Sequence, residues 1–529
     1  MIIKENADEI ENYLSDASNY KGYCDKVFIP ENEDELISII KECNKSFSHV
    51  TITGNGTGLT GAKVPEGGIL ISTEKLNKII SIDTVEKKAT VQAGVLLAYL
   101  QDETEKLNLL YPPDPTERNC FIGSTIATNS SGARTYKYGP TRAYVNRLRI
   151  ILPDGELLIL KRGECIANGY ELNFSSESGK NYSLKIPEIK MPSTKNAAGY
   201  YCKADMDAVD LFIGSEGTLG IITEAELKLI DLPGEILSAV LFFNSEDDAF
   251  IFLEGVKINR NVQPRSLEFF DKFALEFLKK SFSKIPDSAQ AAIWFEQEIN
   301  NVNTHSSSHD SNNPACINIS SPSQTQNGKA DTPSSTINEP STDAPSKIGI
   351  EAEWFNFLDQ SNADIDNSWF AFDEKNLEEF KDFRHAISWK VNEFITQHGF
   401  RKVGTDTAVP DNYFHEFYSF AKNLVEKQNI NYVAYGHFGN SHLHLNMLPE
   451  NEEQFIKAKS LYYEICKEAV RLGGTVSAEH GIGKMKREYF KLMYSQDEIL
   501  QMARLKKSLD PNLILGIGNI FDENIFKMI

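Results

Sequence analysis

Short apolar runs, broken by Gly, Asn and Pro, predict a series of short strands in the first half of the chain, with a few helices between them. Residues 33–43 are predicted to form such a helix, and Val50–Thr53 a strand that runs into a glycine-rich segment. Residues 147–152 and 156–160 are predicted to pair as a hairpin around the turn Pro153-Asp154-Gly155. Frequent Gly, Asn and Pro between the apolar runs indicate a strand-rich N-terminal domain.

A second pattern, in which strands alternate with longer helices, begins near residue 234. Residues 291–295 are predicted to be a strand, and helices are predicted over residues 270–280, 376–397, 454–471 and 495–509. Ser495 is a suitable N-cap for the last helix, which Asp510-Pro511 would end. The chain is therefore predicted to contain a second, more helical domain.

Residues 300–347 differ from both patterns, because they consist largely of Ser, Asn, Thr and Pro and contain no aromatic residue. Such a segment buries too little apolar surface to offset the entropy lost on ordering, so a disordered insertion is predicted. His305 and His309 lie within it, and we interpret them as solvated linker residues and not as a metal site.

Composition narrows the classes of function. A chain of 529 residues is long enough for two or more domains, and its net charge of −21 argues against a nucleic-acid partner. Its seven cysteines are scattered without a Cys-x-x-Cys pair, which favours reduced thiols, a cytoplasmic location and no ferredoxin-like iron–sulfur module. The N-terminus lacks the apolar core of a signal peptide, and no run of about 18 apolar residues predicts a transmembrane helix. Peripheral contact with a membrane stays open.

Four of the ten histidines fall in two short stretches, Gly436-His437-Phe438-Gly439-Asn440-Ser441-His442-Leu443-His444 and Ala478-Glu479-His480-Gly481-Ile482-Gly483-Lys484. Alternate residues of a strand share a face, so His442, His444 and Asn446 are expected to point one way. A turn at 439–441 would return His437 to the side of His444.

With Glu479, this arrangement offers two imidazoles and a carboxylate to a divalent metal that keeps open positions for substrate, and it leaves His480 as a base. The alternative is a set of satisfied polar groups at a domain boundary. That alternative suits an isolated histidine better than it suits a cluster of four.

The glycine-rich segment, Thr53-Gly54-Asn55-Gly56-Thr57-Gly58-Leu59-Thr60-Gly61, follows a predicted strand, as a phosphate-binding loop should. A dinucleotide-binding βαβ unit would need a helix next, and residues 62–68 prevent one. A P-loop would need Gly-Lys-Ser/Thr, which does not follow. Taken alone, the segment is as consistent with an ordinary glycine-rich turn as with a phosphate-binding loop.

Four further stretches remove that ambiguity: Tyr111-Pro112-Pro113-Asp114-Pro115, residues 122–132, Lys137-Tyr138-Gly139, and residues 213–223. In order and spacing they resemble the FAD-binding domain of the vanillyl-alcohol-oxidase superfamily, within the branch of D-lactate, glycolate and D-2-hydroxyglutarate dehydrogenases. The resemblance implies an α+β fold, with a two-subdomain PCMH-type FAD-binding domain and an α/β cap domain that contains an antiparallel sheet. The expected bounds are 1–232 for the FAD-binding domain, 233–500 for the cap domain that binds substrate and metal, and 501–529 for a C-terminal segment returning to the first.

The same resemblance implies contacts to FAD. Backbone N–H groups would wrap the pyrophosphate at Gly54, Asn55, Gly56, Thr57 and Gly58. The isoalloxazine and ribityl chain would be lined by Pro112, Gly123, Thr125, Thr128, Asn129 and Gly132, and the adenosine side by Gly217 and Ile222. Because no histidine or cysteine occupies the loop, we expect the FAD to be non-covalent, and Cys120 to be an ordinary core cysteine.

For the reaction, the resemblance assigns the metal to His437, His444 and Glu479, and the base to His480. Zinc is the first expectation for this ligand set, with manganese or iron as alternatives.

Substrate anchoring is assigned to a second group of residues. Arg384 would hold the substrate carboxylate, with Ser388 one helical turn further on, and the alternative for Arg384 is a surface salt bridge. Asn446 would touch substrate, and Lys402 would hold a distal carboxylate in relatives that accept diacids.

Three parts of the chain depart from the family pattern. Asn440, Ser441 and His442 replace the usual Asp-Gly-Asn, which adds an imidazole that would join the metal or shift its ligand set. Gly516-Ile517-Gly518-Asn519 replaces Asn-Pro-Gly-Lys and removes a flavin-facing lysine. Thr53 stands where proline or arginine is common.

The expected activity is FAD-dependent, metal-assisted oxidation of a D-2-hydroxy acid of the lactate, glycolate or 2-hydroxyglutarate class to the 2-oxo acid. Hydride would pass to flavin N5, and the electrons to a separate protein or quinone acceptor. The alternatives are an FAD-dependent, alkyl-transferring ether-lipid synthase and a non-catalytic flavin subunit of a glycolate-oxidase-like complex. The intact Glu479-His480 pair and the retained metal histidines argue against both.

Overall fold

The computed structural model describes residues 1–299 and 349–529, so the insertion predicted at 300–347 lies outside the described residues. The fold is α+β, as expected. Strands of the N-terminal part are β1 Ile2–Lys4, β2 Lys26–Ile29, β3 Val50–Thr53, β4 Ile69–Ser72, β5 Ile79–Asp83, β6 Lys88–Gln92, β7 Leu109–Leu110, β8 Val145–Ile151, β9 Leu157–Lys161, β10 Glu171–Ser175, β11 Asn181–Lys185, β12 Ile221–Lys228 and β13 Ile230–Asp231. Its helices are α1 Ala7–Ile10, α2 Glu33–Ser46, α3 Leu97–Glu105, α4 Ile122–Ala127, α5 Thr135–Tyr138 and α6 Ala208–Phe212.

The elements of the second part begin at residue 235. Its strands are β14 Glu235–Phe243, β15 Ser266–Asp271, β16 Ala291–Ile299, β17 Trp369–Ala371, β18 Val403–Gly404, β19 Thr407–Ala408, β20 Tyr432–Gly436, β21 His442–Leu443 and β22 Leu445–Met447. Its helices are α7 Glu246–Ile258, α8 Lys272–Lys279, α9 Ile350–Asp359, α10 Glu374–His398, α11 Phe414–Glu426, α12 Glu452–Arg471, α13 Arg487–Met493 and α14 Gln496–Leu509.

Local sequence signals account for most of these bounds. Asn32 caps α2 by accepting a hydrogen bond from the Glu35 N–H, and α2 ends three residues later than predicted. Ser495 and Glu498 form a full capping box at the start of α14. The predicted hairpin is present as β8 and β9, which pair from Ile151↔Leu157 onwards.

The N-terminal part contains two larger sheets and the two-stranded pairs β10-β11 and β7-β13. The first has the order β1-β2-β4-β3, with β4 parallel to both β2 and β3, and the glycine loop lies in the crossover between β3 and β4. The second is antiparallel, with the order β5-β6-β12-β8-β9. Residues 514–516 return to the edge of the first sheet, where the Val50 N–H donates to the Ile514 carbonyl at 2.7 Å. The glycine loop is therefore held between two sheets and the end of the chain.

A seven-stranded sheet, in the order β17-β14-β16-β15-β20-β22-β18, forms the centre of the second part, and its pairings are antiparallel. All nine residues of β16 are buried, because helices cover both faces of the sheet. On one face Phe242 and Trp294 pack with α8 and α10, and on the other Leu241 and Phe295 pack with α7. Among the described residues, no helix is both long and apolar enough to cross a membrane.

Candidate active site

A cavity of about 280 Å³ lies between the glycine loop and the second histidine-bearing stretch, and Glu479 and His480 form part of its wall. The FAD residues predicted from sequence that line it are Gly54, Asn55, Gly56, Thr57, Gly58, Gly123, Thr125, Thr128, Gly217 and Ile222. The cavity therefore joins the predicted cofactor loop to a predicted metal ligand and to the predicted base.

Two glycines show why the loop approaches its neighbours so closely. A Cβ on Gly54 would lie 2.0 Å from the Ser124 hydroxyl oxygen, and Gly56 has a φ of +76°, in the left-handed region. Side chains at these positions would displace Ser124 or strain the backbone. The loop thus presents main-chain atoms to the cavity, as a pyrophosphate cradle requires.

Within the described part of the chain, Pro112, Asn129 and Gly132 are not among the residues that line this cavity. Asn129 accepts a hydrogen bond from the Arg142 N–H at 3.0 Å, and a Cβ on Gly132 would lie 1.9 Å from the Asp114 carbonyl oxygen. Asn129 and Gly132 thus contact other segments of the N-terminal part. Cys120 does line the cavity, and burial raises the pKa of its thiol to about 12, which leaves little reactive thiolate.

The first histidine-bearing stretch folds back on itself. β20 ends at Gly436, a short 3₁₀ turn follows His437, and Ser441 has a φ of 51°. The ring centroids of His437 and His444 are 5.6 Å apart, and those of His442 and His444 are 4.1 Å apart. The expected strand is interrupted at His444, because β21 pairs with β19 whereas β22 pairs with β20 and β18.

Glu479 lies at the centre of these imidazoles. Its Oε1 is 3.3 Å from His437 Nε2 and 4.0 Å from His442 Nδ1, and its Oε2 is 3.6 Å from His444 Nε2. Burial opposes the carboxylate charge, but His437 and Lys195 hold the pKa of Glu479 well below its usual range. The buried carboxylate therefore stays ionised and attracts a cation.

The opposite nitrogen of each ring meets a fixed acceptor. His437 Nδ1 lies 2.7 Å from Glu268 Oε1, His442 Nε2 lies 2.9 Å from Asp406 Oδ1, and His444 Nδ1 lies 3.0 Å from the Thr405 carbonyl. Burial lowers the pKa of both His442 and His444, which keeps these rings neutral as a metal ligand must be. The pKa of His437 is raised despite burial, because Glu268 and Glu479 flank the ring.

Asp406 connects the cluster to the predicted base. Its Oδ2 lies 3.3 Å from His480 Nδ1 and 2.6 Å from Lys486 Nζ. Ser477 Oγ also donates to Oδ2, and the main-chain N–H groups of Glu479 and His480 donate to the same carboxylate. Burial would raise the pKa of Asp406, but His480 and Lys486 hold it well below its usual range.

Lys195 brings a positive charge to the cluster from the N-terminal part. Its ammonium forms an ion pair with Glu479 Oε1, and both side chains are almost completely buried. Ser131 Oγ donates to the same oxygen at 3.0 Å. In this structure an ammonium therefore occupies part of the space around Glu479 that suits a cation.

Arg384 lies beside the cluster and not at the surface. Its side chain is 9% exposed, its NH1 donates to Thr116 Oγ1 at 3.1 Å, and its Nε is 3.5 Å from Glu268 Oε2. Glu268 thus bridges Arg384 and His437. Ser388, one turn further along α10, has its hydroxyl 3.5 Å from the Tyr435 hydroxyl.

The remaining predicted substrate residues are less closely connected. Asn446 is buried and packs against Gly404, where an added Cβ would lie 2.6 Å from its Oδ1. Lys402 is half-buried just before β18, and in the described part of the chain no hydrogen bond or ion pair joins it to the histidine cluster.

The sequence interpretation did not assign three residues that the structure places here: Glu268, Asp406 and Lys195. A signal existed for Glu268, because an acidic residue between Leu267 and Phe269 in an apolar strand needs a partner. Asp406 and Lys195 carry no comparable local signal. Lys195 reaches Glu479 across 284 positions of sequence.

The donor set fits a divalent metal. Imidazole nitrogens and carboxylate oxygens of His437, His442, His444 and Glu479 all lie within 4.8 Å of one another, and His442 Nδ1 is buried without a hydrogen-bond partner in the described structure. Asp406, His444 and His480 form a second, overlapping group. The glycine loop fits the FAD pyrophosphate equally well, because its main chain lines the cavity at positions where a side chain would clash with Ser124 or strain the backbone.

Comparisons with known proteins show which families the chain resembles. Residues 24–161 match the family described as FAD binding domain, and residues 350–520 match the family described as FAD linked oxidases, C-terminal domain. Glycolate oxidase subunit GlcD of Bacillus subtilis (strain 168) is 28% identical over 98% of this chain and 93% of its own length. D-lactate dehydrogenase of Anaerostipes hadrus is 28% identical over 92% and 87%, and D-2-hydroxyglutarate dehydrogenase of Xanthomonas citri pv. viticola is 26% identical over 94% and 89%.

Solved structures share the fold. A structure of alkyldihydroxyacetonephosphate synthase superposes with a TM-score of 0.62 at 16% identity, covering 97% of this chain and 83% of that one. Both domain types therefore occur here in one chain. The chain belongs to the FAD-linked oxidases of the vanillyl-alcohol-oxidase type.

Proposed function

We propose that this chain oxidises a D-2-hydroxy acid to the 2-oxo acid, with non-covalent FAD and a divalent metal. The observation that carries the proposal is the shared wall of the cavity, in which the glycine loop faces Glu479 and His480. Relatives named as glycolate oxidase subunit, D-lactate dehydrogenase and D-2-hydroxyglutarate dehydrogenase support the substrate class.

Arg384 is the residue that we assign to the substrate carboxylate. Its buried guanidinium stays charged and offers paired N–H donors in a plane, which match a carboxylate. Glu268 and Thr116 hold the guanidinium in place from two directions. Glu268 contacts both Arg384 and the metal ligand His437. The carboxylate and the neighbouring hydroxyl of the substrate would therefore be bound by adjoining groups of the protein.

His480 is the residue that we assign to the hydroxyl proton. Its Nδ1 faces Asp406, so Nε2 is left to accept a proton from the substrate. The ionised Asp406 then stabilises the imidazolium that forms, as an acidic partner does for a catalytic histidine elsewhere. Lys486 keeps Asp406 ionised throughout.

The cofactors would be held by the residues already described. When bound, the metal supplies a Lewis acid for the hydroxyl, and FAD supplies the acceptor for hydride from the α-carbon. His437, His444 and Glu479 would hold the metal, and the 54–58 loop would hold the FAD pyrophosphate. We propose zinc, manganese or iron as the ion.

Three finer assignments complete the proposal. Lys402 would hold the distal carboxylate if the substrate is a diacid, and Ser388 and Asn446 would contact the substrate near Arg384 and the metal. Electrons would pass to a separate protein or quinone acceptor. The scattered cysteines, of which the six in the described ranges form no disulfide, support a cytoplasmic location.

Anaerobic bleaching of the flavin absorbance band tests the proposal. The purified flavoprotein is mixed with D- and L-lactate, glycolate, D- and L-malate and D- and L-2-hydroxyglutarate, each with and without a chelator. We expect one D-acid, or the achiral glycolate, to bleach the band, and chelator to prevent it. If every acid leaves the flavin oxidised, the dehydrogenase assignment is wrong, and alkyl transfer or a non-catalytic role takes its place.

The variant His444→Ala separates the metal from the flavin. It should lose bound metal and turnover while its FAD content stays normal, because His444 contacts Glu479 and not the glycine loop. A metal-free His444→Ala protein that still reduces its flavin would remove the metal from the mechanism.

A further inference from the structure

His442 has a buried nitrogen that the proposed mechanism does not yet use. The side chain is fully buried, and its Nδ1 has no hydrogen-bond partner in the described structure. A buried polar atom without a partner destabilises the fold, because it has lost its hydrogen bonds to water and gained none in return. A ligand at this atom would explain why the position tolerates an imidazole.

The other ring nitrogen fixes which form of the imidazole is present. His442 Nε2 lies 2.9 Å from Asp406 Oδ1, and an ionised carboxylate accepts hydrogen bonds but donates none. Nε2 must therefore carry the hydrogen, which leaves a lone pair on Nδ1. That lone pair lies on the side of the ring towards Glu479, with Nδ1 4.0 Å from Oε1.

His437 and His444 show the same arrangement, with one nitrogen at a fixed acceptor and the other near Glu479. A carboxylate or carbonyl behind each imidazole is the usual support of a metal-binding histidine. Two atoms that each lie about 2.1 Å from one ion are separated by about 3 to 4.2 Å. The separations from Glu479 Oε1 to His437 Nε2 and His442 Nδ1, 3.3 and 4.0 Å, and from Oε2 to His444 Nε2, 3.6 Å, all fall in this range.

We propose that His442 Nδ1 is a fourth protein ligand, so that the metal is held by three imidazoles and one carboxylate. This inference rests on the metal site of the proposed function and adds a ligand at a position where the family pattern has an amide. Four protein ligands would complete the tetrahedral shell that zinc usually takes. Two further positions for substrate oxygens require six-fold coordination, which favours manganese or iron over zinc.

Pulsed electron paramagnetic resonance of Cu²⁺-loaded flavoprotein counts the imidazoles directly, without a turnover measurement. We expect three coordinated imidazoles in the wild-type protein and two in His442→Asn, whose amide matches the family loop. The matched control is His415→Asn, because His415 is partly exposed and pairs with Asp247 away from the cluster. It should keep three. Two imidazoles in the wild-type protein, unchanged in His442→Asn, would overturn the proposal.

Metal affinity provides the second readout. In competition with a chelator, His442→Asn should have a higher Cu²⁺ dissociation constant than the wild-type protein. Loss of a residue that only supports a ligand weakens metal binding by roughly 10- to 100-fold, and loss of a ligand should weaken it by more. An unchanged dissociation constant contradicts the fourth ligand even if the variant is active. The flavin-bleaching assay is independent of this count, so a protein that bleaches with a D-acid but binds metal through two imidazoles keeps the proposed function and loses this inference.

Discussion

The substitution Asp406→Asn tests how much the carboxylate of Asp406 contributes to stability and to catalysis. Both oxygens of Asp406 accept hydrogen bonds: Oδ1 from His442 Nε2 and the Glu479 N–H, and Oδ2 from Ser477, the His480 N–H and Lys486. Asparagine has one side-chain acceptor atom, and its amide group would face donors on whichever side it is placed.

The expected cost follows from those contacts. Each buried donor left without an acceptor costs about 1–3 kcal/mol, and a buried ammonium deprived of its counter-charge costs about 3–5 kcal/mol. Asp406→Asn should therefore lower the free energy of unfolding by about 5 kcal/mol, a large part of the roughly 5–15 kcal/mol of a typical domain. Because His480 also loses the charge that stabilises its imidazolium, flavin reduction should slow by about 100-fold or more.

Chemical denaturation and anaerobic stopped-flow reduction of the flavoprotein measure the two effects. The matched control is Asp510→Asn, because Asp510 is fully buried and holds Lys506 Nζ at 2.8 Å together with the N–H groups of Ile514 and Leu515. It should lose comparable stability but keep the wild-type reduction rate. If both variants slow reduction equally, Asp406 acts only through the fold and our reasoning about His480 fails.

Three further substitutions test two residues of the site and one buried ion pair of the seven-stranded sheet. His480→Gln should retain metal and flavin but reduce the flavin about 10²- to 10⁴-fold more slowly in stopped-flow measurements; an unchanged rate would rule it out as the base. Arg384→Lys keeps the charge but loses the planar pair of donors held by Glu268, so the KM for the acid should rise about 10-fold in steady-state assays, and an unchanged KM would place the carboxylate elsewhere. For Glu296, burial opposes the charge but Arg265 lowers the pKa to about 2 from a usual 4.5. Because the pKa of Glu296 is lower in the folded than in the unfolded state, ionised Glu296 contributes about 3 kcal/mol to the free energy of unfolding above about pH 4.5. This contribution is lost as the pH falls towards 2. Glu296→Gln should remove that part of the pH dependence in denaturation experiments, and an unaltered pH dependence would contradict it.

Local sequence was sufficient for most elements of the fold. The capping box at Ser495 and the turn at Pro153-Asp154-Gly155 act within a few residues, so their structures follow from chemistry visible in the sequence. The proximity of His437 to His444 was also predictable, because a short turn joins two extended segments. The interruption of the strand at His444 was not predictable, since it depends on which strands pair with β21 and which with β22.

The supporting contacts of the site could not be predicted in the same way. Lys195 meets Glu479, and Glu268 meets His437, across separations of 284 and 169 residues. Such contacts depend on how the two parts of the chain pack, and the pattern of apolar and polar residues along the sequence does not predict that packing. The resemblance implied candidate metal ligands and a candidate base, whereas the structure was needed to find the acceptors that orient their side chains.

The seven-stranded sheet combines strands from residues 1–299 with strands from residues 349–529. The first group is β14, β15 and β16, and the second is β17, β18, β20 and β22. Pairing of β14 with β17 and of β15 with β20 joins the two sides by main-chain hydrogen bonds. The glycine loop, Lys195 and Glu268 belong to residues 1–299, and the histidines and Glu479 to residues 349–529. Supplied as two separate polypeptides, these portions would form a complementing pair, and recovery of metal binding would report their reassembly.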